Sequence, residues 1–120
     1  MNPEEIRLLC LGLPGTSEEF PFDEDTLAFK VMGKIFLLTD IRDFKSINLK
    51  CEPEKAIYLR EKYAAVTPGF HMNKKHWNTV EIPGDYTRNE LSEWIQHSYQ
   101  MVIKGLTAQQ RKELSQLSAA

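Results

Sequence analysis

With 120 residues the chain has the size of one domain, long enough for one continuous core, and its 42% hydrophobic and 27% charged content excludes a disordered polymer. A net charge of −2 excludes a globally basic surface, so any attraction for nucleic acid or anionic lipid must come from a local patch. No apolar run approaches the roughly 18 residues that span a bilayer.

The opening Met1-Asn2-Pro3-Glu4-Glu5 places acid where a secretory leader needs base, and the expectation is a cytoplasmic protein. The same start reads as a helix: Asn2 as N-cap, Pro3 in the first turn, Glu4 and Glu5 at the positive end of the dipole. Ile6, Leu9, Cys10 and Leu13 follow at helical spacing, with Arg7 left in water and Gly12 and Pro14 marking the end. From residue 18 to residue 51 the period changes. Runs 18–22, 26–32, 34–39 and 46–51 are rich in β-branched and aromatic residues and read as strands. Met32-Gly33-Lys34 is the tightest turn, so the middle two runs form a hairpin. Its register stays open. A two-residue loop groups Phe29 and Val31 with Phe36 and Leu38, whereas a three-residue loop groups them with Ile35 and Leu37. Lys30 faces the other way in both.

A second helix is predicted over 53–64, with Ala56, Leu59 and Tyr63 on one face. Residues 66–70 read as a turn, and 76–82 as a strand closed by Pro83-Gly84. Thr87 with Glu90 and Thr107 with Gln110 form capping boxes for two final helices, the first burying Leu91, Trp94, Ile95, Ser98 and Val102. The order predicts a single domain over 1–120: an α+β fold with an antiparallel β-sheet and helices packed largely on one face. Cys10 and Cys51 form no CxxC and read as reduced thiols rather than a disulfide.

Specific strings then match a known pattern. Gly15-Thr16-Ser17-Glu18-Glu19-Phe20-Pro21-Phe22-Asp23, Leu27-Ala28-Phe29-Lys30-Val31 with Gly33-Lys34-Ile35-Phe36, and Asn48-Leu49-Lys50-Cys51 occur in order. Thr67 through Asn78 and His97-Ser98-Tyr99 complete the series. The chain resembles the MmcQ/YjbR family across almost its whole length, with Phe70 where Tyr is common. The resemblance implies a CyaY-like (frataxin-like) fold and a double-wing DNA-binding arrangement, in which strand-loop wings flank the contact surface.

The segment His71-Met72-Asn73-Lys74-Lys75-His76-Trp77-Asn78 carries the densest chemistry: cations for phosphate and an indole that can stack on a base. Lys30, Lys34 and Lys50 are candidates for the other side of the same surface. The candidate nucleic-acid or anion-binding residues are thus Lys30, Lys34, Lys50, His71, Asn73, Lys74, Lys75, His76 and Trp77. A structural reading stands beside this, with the lysines in a solvated loop, Trp77 packed on the sheet, and Asn73 and Asn78 capping turns.

The spacing of Cys51, His71 and His76 fits no metal pattern, and Asp23-Glu24-Asp25 reads as a hydrated turn. Cys51 precedes a helix start that would lower its pKa, yet neither it nor Ser17 or Ser46 has a nucleophile-elbow pattern. His97 is placed beside the core edge. The expectation is therefore a non-enzymatic monomer without cofactor or metal that binds DNA weakly and salt-dependently. The alternative is a module for an anionic small molecule or a protein partner.

Overall fold

The computed structural model describes residues 1–69 and 72–118, so Phe70 and His71 lie outside the described residues. In chain order the elements are α1 (Pro3–Leu11), β1 (Thr16–Glu19), β2 (Thr26–Val31), β3 (Lys34–Asp40), β4 (Ser46–Lys50), α2 (Pro53–Lys62), β5 (Val66–Pro68), β6 (Trp77–Glu81), α3 (Arg88–Lys104) and α4 (Ala108–Ser118). The strands form one antiparallel sheet of order β1-β2-β3-β4-β6-β5.

The helix starts follow their caps. Asn2 and Glu5 close a reciprocal capping box on α1, as do Thr87 and Glu90 on α3. At α4, Thr107 and Gln110 exchange the same pair of bonds, 3.0 and 3.1 Å. The helices layer on one sheet face. α3 crosses β2, β3 and β4, and α2 lies against β5 and β6. Ile6 of α1 lines one cleft with Leu27 and Phe29, while Leu114 of α4 reaches Gly15 beside Val31. Phe29, Phe36, Leu37, Ile47, Leu91 and Ile95 are fully buried between the layers. Burying such side chains stabilises the fold by about 1.5–3 kcal/mol each.

The β2–β3 hairpin resolves the open register. Met32 and Gly33 form a two-residue loop with both φ positive, 50° and 80°, and Val31 pairs with Lys34. The register then shifts: Lys30 pairs with Ile35 and Phe29 with Leu37, leaving Phe36 as the extra residue of a bulge. Phe36 and Leu37 are therefore both buried, and each of the two alternatives holds on one side of the bulge.

Two expectations are corrected. The first strand is Thr16–Glu19 rather than 18–22, because Asp23 accepts from the amides of Asp25 and Thr26 and folds residues 20–25 into a loop. Residues 66–68, read as part of a turn, form edge strand β5, where Pro68 is tolerated. Arg7 stays in water as expected, its side chain 42% exposed, and its guanidinium there grips both carboxylate oxygens of Glu18 at 2.8 and 2.6 Å.

Candidate nucleic-acid interface

The antiparallel order brings two hairpin ends to the same end of the sheet. One is the Met32-Gly33 turn of β2–β3, the other the connection from β5 to β6, and the C-terminal end of β4 lies between them. Alternation along the strands fixes the faces. Leu49 and Asn78 are buried toward the helices, so Lys50 and its cross-strand neighbour Trp77 point to the opposite face, which among the described residues carries no helix. Lys30, paired with Ile35, points the same way. Lys30, Lys50, His76 and Trp77 are half-buried, and Lys34, Asn73, Lys74 and Lys75 are exposed.

Neighbouring bonds hold this end in place. Asn73 accepts the amide of Lys75 at 3.0 Å through its side chain, and its carbonyl accepts the amides of His76 and Trp77. Asn73 is thus a turn former, as the structural reading expected. Arg60, on α2, reaches under the loop: Nε donates to Asn78 Oδ1 at 2.6 Å, and Nη2 donates to the carbonyls of Lys74 and Trp77. Asn78 in turn donates to the carbonyl of Ala56 at 3.3 Å. Gly69 is required by close approach, because a Cβ there would stand 2.8 Å from that of Trp77. The Lys74 ammonium bends back to the Gly69 carbonyl at 3.2 Å.

The sites of positive charge differ in availability. Lys30 pairs with Glu19 at 3.6 Å. Among the described residues Lys34, Lys50 and Lys75 are held by no ion pair. On the open face Thr79 donates to Asn48 at 2.6 Å, and Asn48 donates to the carbonyl of Leu38 at 3.2 Å. Both are polar groups beside Lys50 and Trp77 that composition alone does not single out.

The position of Lys50 depends on Ser98. The bulge at Phe36 leaves a gap in the β3–β4 ladder, and Ser98 of α3 fills it. Its hydroxyl donates to the Phe36 carbonyl at 2.5 Å and accepts the Lys50 amide at 2.8 Å. The signal for this role was a serine inside the apolar stripe of a helix, since a buried hydroxyl needs a partner. The flanking residues act alike: His97 Nε2 accepts the Glu52 amide at 3.2 Å, and the Tyr99 hydroxyl donates to the Pro14 carbonyl at 2.6 Å. No comparable signal marks Arg60.

Thiol chemistry is disfavoured here. Burial pushes the Cys51 thiol up to about 11 and the Cys10 thiol up to about 12. This reverses the expectation that the α2 dipole lowers Cys51. The N-cap of that helix is Glu52, whose carboxylate accepts the amides of Glu54 and Lys55 and occupies the positive end. Burial, then Lys55, holds His97 below the usual imidazole range, against the opposing pull of Glu52. Among the described residues no group of three or more His, Cys, Asp or Glu could hold a metal ion.

This fold and surface define a two-layer α+β sandwich domain with one sheet face open. The chain belongs to the YjbR family, whose profile matches residues 11–101. It is 35% identical to the uncharacterized protein YbdF of Escherichia coli O157:H7 over 92% of both chains. Against the uncharacterized protein YjbR of Escherichia coli K12 the identity is 30%, over 98% of this chain and all of that one. The crystal structure of a Deinococcus radiodurans protein described by domain DUF419 superposes with a TM-score of 0.86 at 41% identity, covering 93% of this chain and 86% of that one. A Pseudomonas syringae crystal structure gives 0.70 at 28% identity, covering 84% and 98%. These likenesses carry fold and family, and function has to be argued from the residues.

Proposed function

We propose that this domain is a cytoplasmic, monomeric, non-enzymatic protein that contacts nucleic acid, duplex DNA first, through the hairpin end of its sheet. The observation that carries the reading is the placement of Lys34 and Lys75 at the two hairpin ends, with Lys50 and Trp77 on the open face between them. Three strand spacings separate the axes of the two hairpins, roughly 14 Å. The major groove of B-DNA is about 12 Å wide, so the two hairpin ends match the phosphate ridges on its sides. Trp77 and the Asn48–Thr79 pair would then lie over the groove. The half-buried indole supplies one apolar contact, not a stacking platform.

Only a few cations converge, so affinity should come mostly from counterion release. Neutralising three to four phosphates gives a slope of about −3 in log K against log salt, a loss on the order of fiftyfold between about 50 and 200 mM. Fluorescence anisotropy with a labelled duplex of about 20 base pairs measures this directly, and Lys34→Ala/Lys75→Ala should flatten the slope to about −1. Duplex binding that is absent at the lowest salt, or unaltered by the double substitution, overturns the reading. The first of these results would favour an anionic small molecule or a protein partner on the same surface.

A further inference from the structure

The opposite end of the sheet has the opposite character. The β1–β2 loop (residues 20–25) and the β3–β4 turn (residues 41–45) meet there, joined by the Ile41 amide on the Asp25 carbonyl at 2.8 Å and by Arg42 on Asp25 at 3.4 Å. Phe22 is 70% exposed, Phe20 50% and Ile41 43%, so these two segments carry large apolar side chains into water. Beside them opens a cleft of about 210 Å³ between α1 and the sheet. Its floor is the core itself, Ile6, Leu27 and Phe29, and its lip is Ile41 and Phe44. Phe44 holds φ at +48°, a left-handed conformation rarely adopted by an aromatic residue. Backbone outliers of this kind cluster at ligand clamps.

The rim is acidic. Glu4 lines the cleft, and Asp23, Glu24, Asp25, Asp40 and Asp43 lie in or next to the two loops. Arg42 is shared between Asp40 and Asp25, and Arg7 is occupied by Glu18 and Glu4. Among the described residues Asp23, Glu24 and Asp43 have no ion pair, and neither does Lys45 of the β3–β4 turn, so the unpaired charge of the two loops is negative on balance. An apolar cleft with such a rim repels a polyanion and attracts a cation-bearing partner.

We propose that this end is a docking site for a protein segment that inserts one bulky apolar side chain flanked by lysine or arginine. The volume is below the roughly 300–1,000 Å³ of small-molecule pockets and suits a single side chain. A second copy of this chain is the wrong occupant, because a two-fold pairing of this end sets one net-negative rim against another. The site is independent of the DNA reading and lies at the other end of the sheet from it.

The test is a titration of the ¹⁵N-labelled full chain with a blocked peptide carrying one leucine between lysines. Counterpart peptides carry alanine for the leucine or glutamate for the lysines. Saturable shifts confined to the amides around residues 23–27 and 41–44, absent with both counterparts, are expected. Ile41→Ser should weaken binding about tenfold. That variant keeps the amide bond to Asp25, and Phe44→Gly, which removes the lip while relaxing the backbone, should give the same loss in a folded protein. Equal binding of either counterpeptide, shifts elsewhere, or indifference to both substitutions overturns the proposal. So do concentration-dependent shifts at these amides without peptide, which would mark self-association.

Discussion

Ser98 lies between Ile95 and Val102 on the buried stripe of α3, and its hydroxyl is bonded on both sides to backbone groups of the sheet. Removing the hydroxyl leaves the Phe36 carbonyl and the Lys50 amide without that partner in a dry environment. The expected cost of Ser98→Ala is about 1–3 kcal/mol, read as a lower midpoint in denaturant with an unchanged slope. A loss well below that range would mean that the two groups find each other or water. Because the same hydroxyl fixes the end of β4, the variant should also broaden the amide resonances of Lys50 and Cys51 while those of α4 stay sharp.

At the scale of elements, α2 and the β5–β6 connection behave as one unit because Arg60 spans them. Arg60→Ala should raise hydrogen-exchange rates at the amides of Lys75, His76 and Trp77 while leaving the β2–β3 hairpin protected. Lysine is a poor substitute, since it lacks the planar fork that serves three acceptors at once. Equal exchange in the wild type and the variant would sink the clamp. The elements also show which parts of the fold the residues announce. The starts of α1, α3 and α4 are local events, a cap and its third residue, and they were legible. The hairpin phase was not, because it depends on a bulge held by a serine 62 positions away. β5 was hidden behind Pro68-Gly69, where turn chemistry is the stronger local signal and only pairing with β6 makes a strand. In the candidate site the residue types were legible, but the grouping of Lys30, Lys50 and Trp77 on one face follows from strand order, and Arg60 carried no sequence mark at all.

For the whole molecule, the titrating groups set a stability profile whose sign can be worked out. His97 is held below its ordinary 6.5 by burial and then by Lys55, so the unfolded chain takes its proton first. Its contribution is complete above about pH 6.5 and is lost as pH falls through the folded value. Glu52 is lowered by the Lys55 and Glu54 amides, and Asp85 by those of Ala65 and Ala64. Glu90 is lowered by the Tyr63 hydroxyl, then by the Thr87 amide. All three add a second loss, of the same sign, below their ordinary 4.5 and 3.8. The thiols act at the other limb: Cys10 and Cys51 are raised from 9.0 to about 12 and about 11, so their contribution is present below pH 9 and lost above it. Denaturation midpoints measured across pH should therefore form a plateau between about pH 7 and 9 with a two-step acid limb. His97→Gln should erase the upper acid step and leave the lower one, because the amides that hold Glu52 and Asp85 and the Tyr63 and Thr87 groups that hold Glu90 are the larger causes and are kept. Stability that rises on acidification from pH 7 to pH 5 would contradict the assignment, since it requires a group whose folded pKa is raised in that window and outweighs His97.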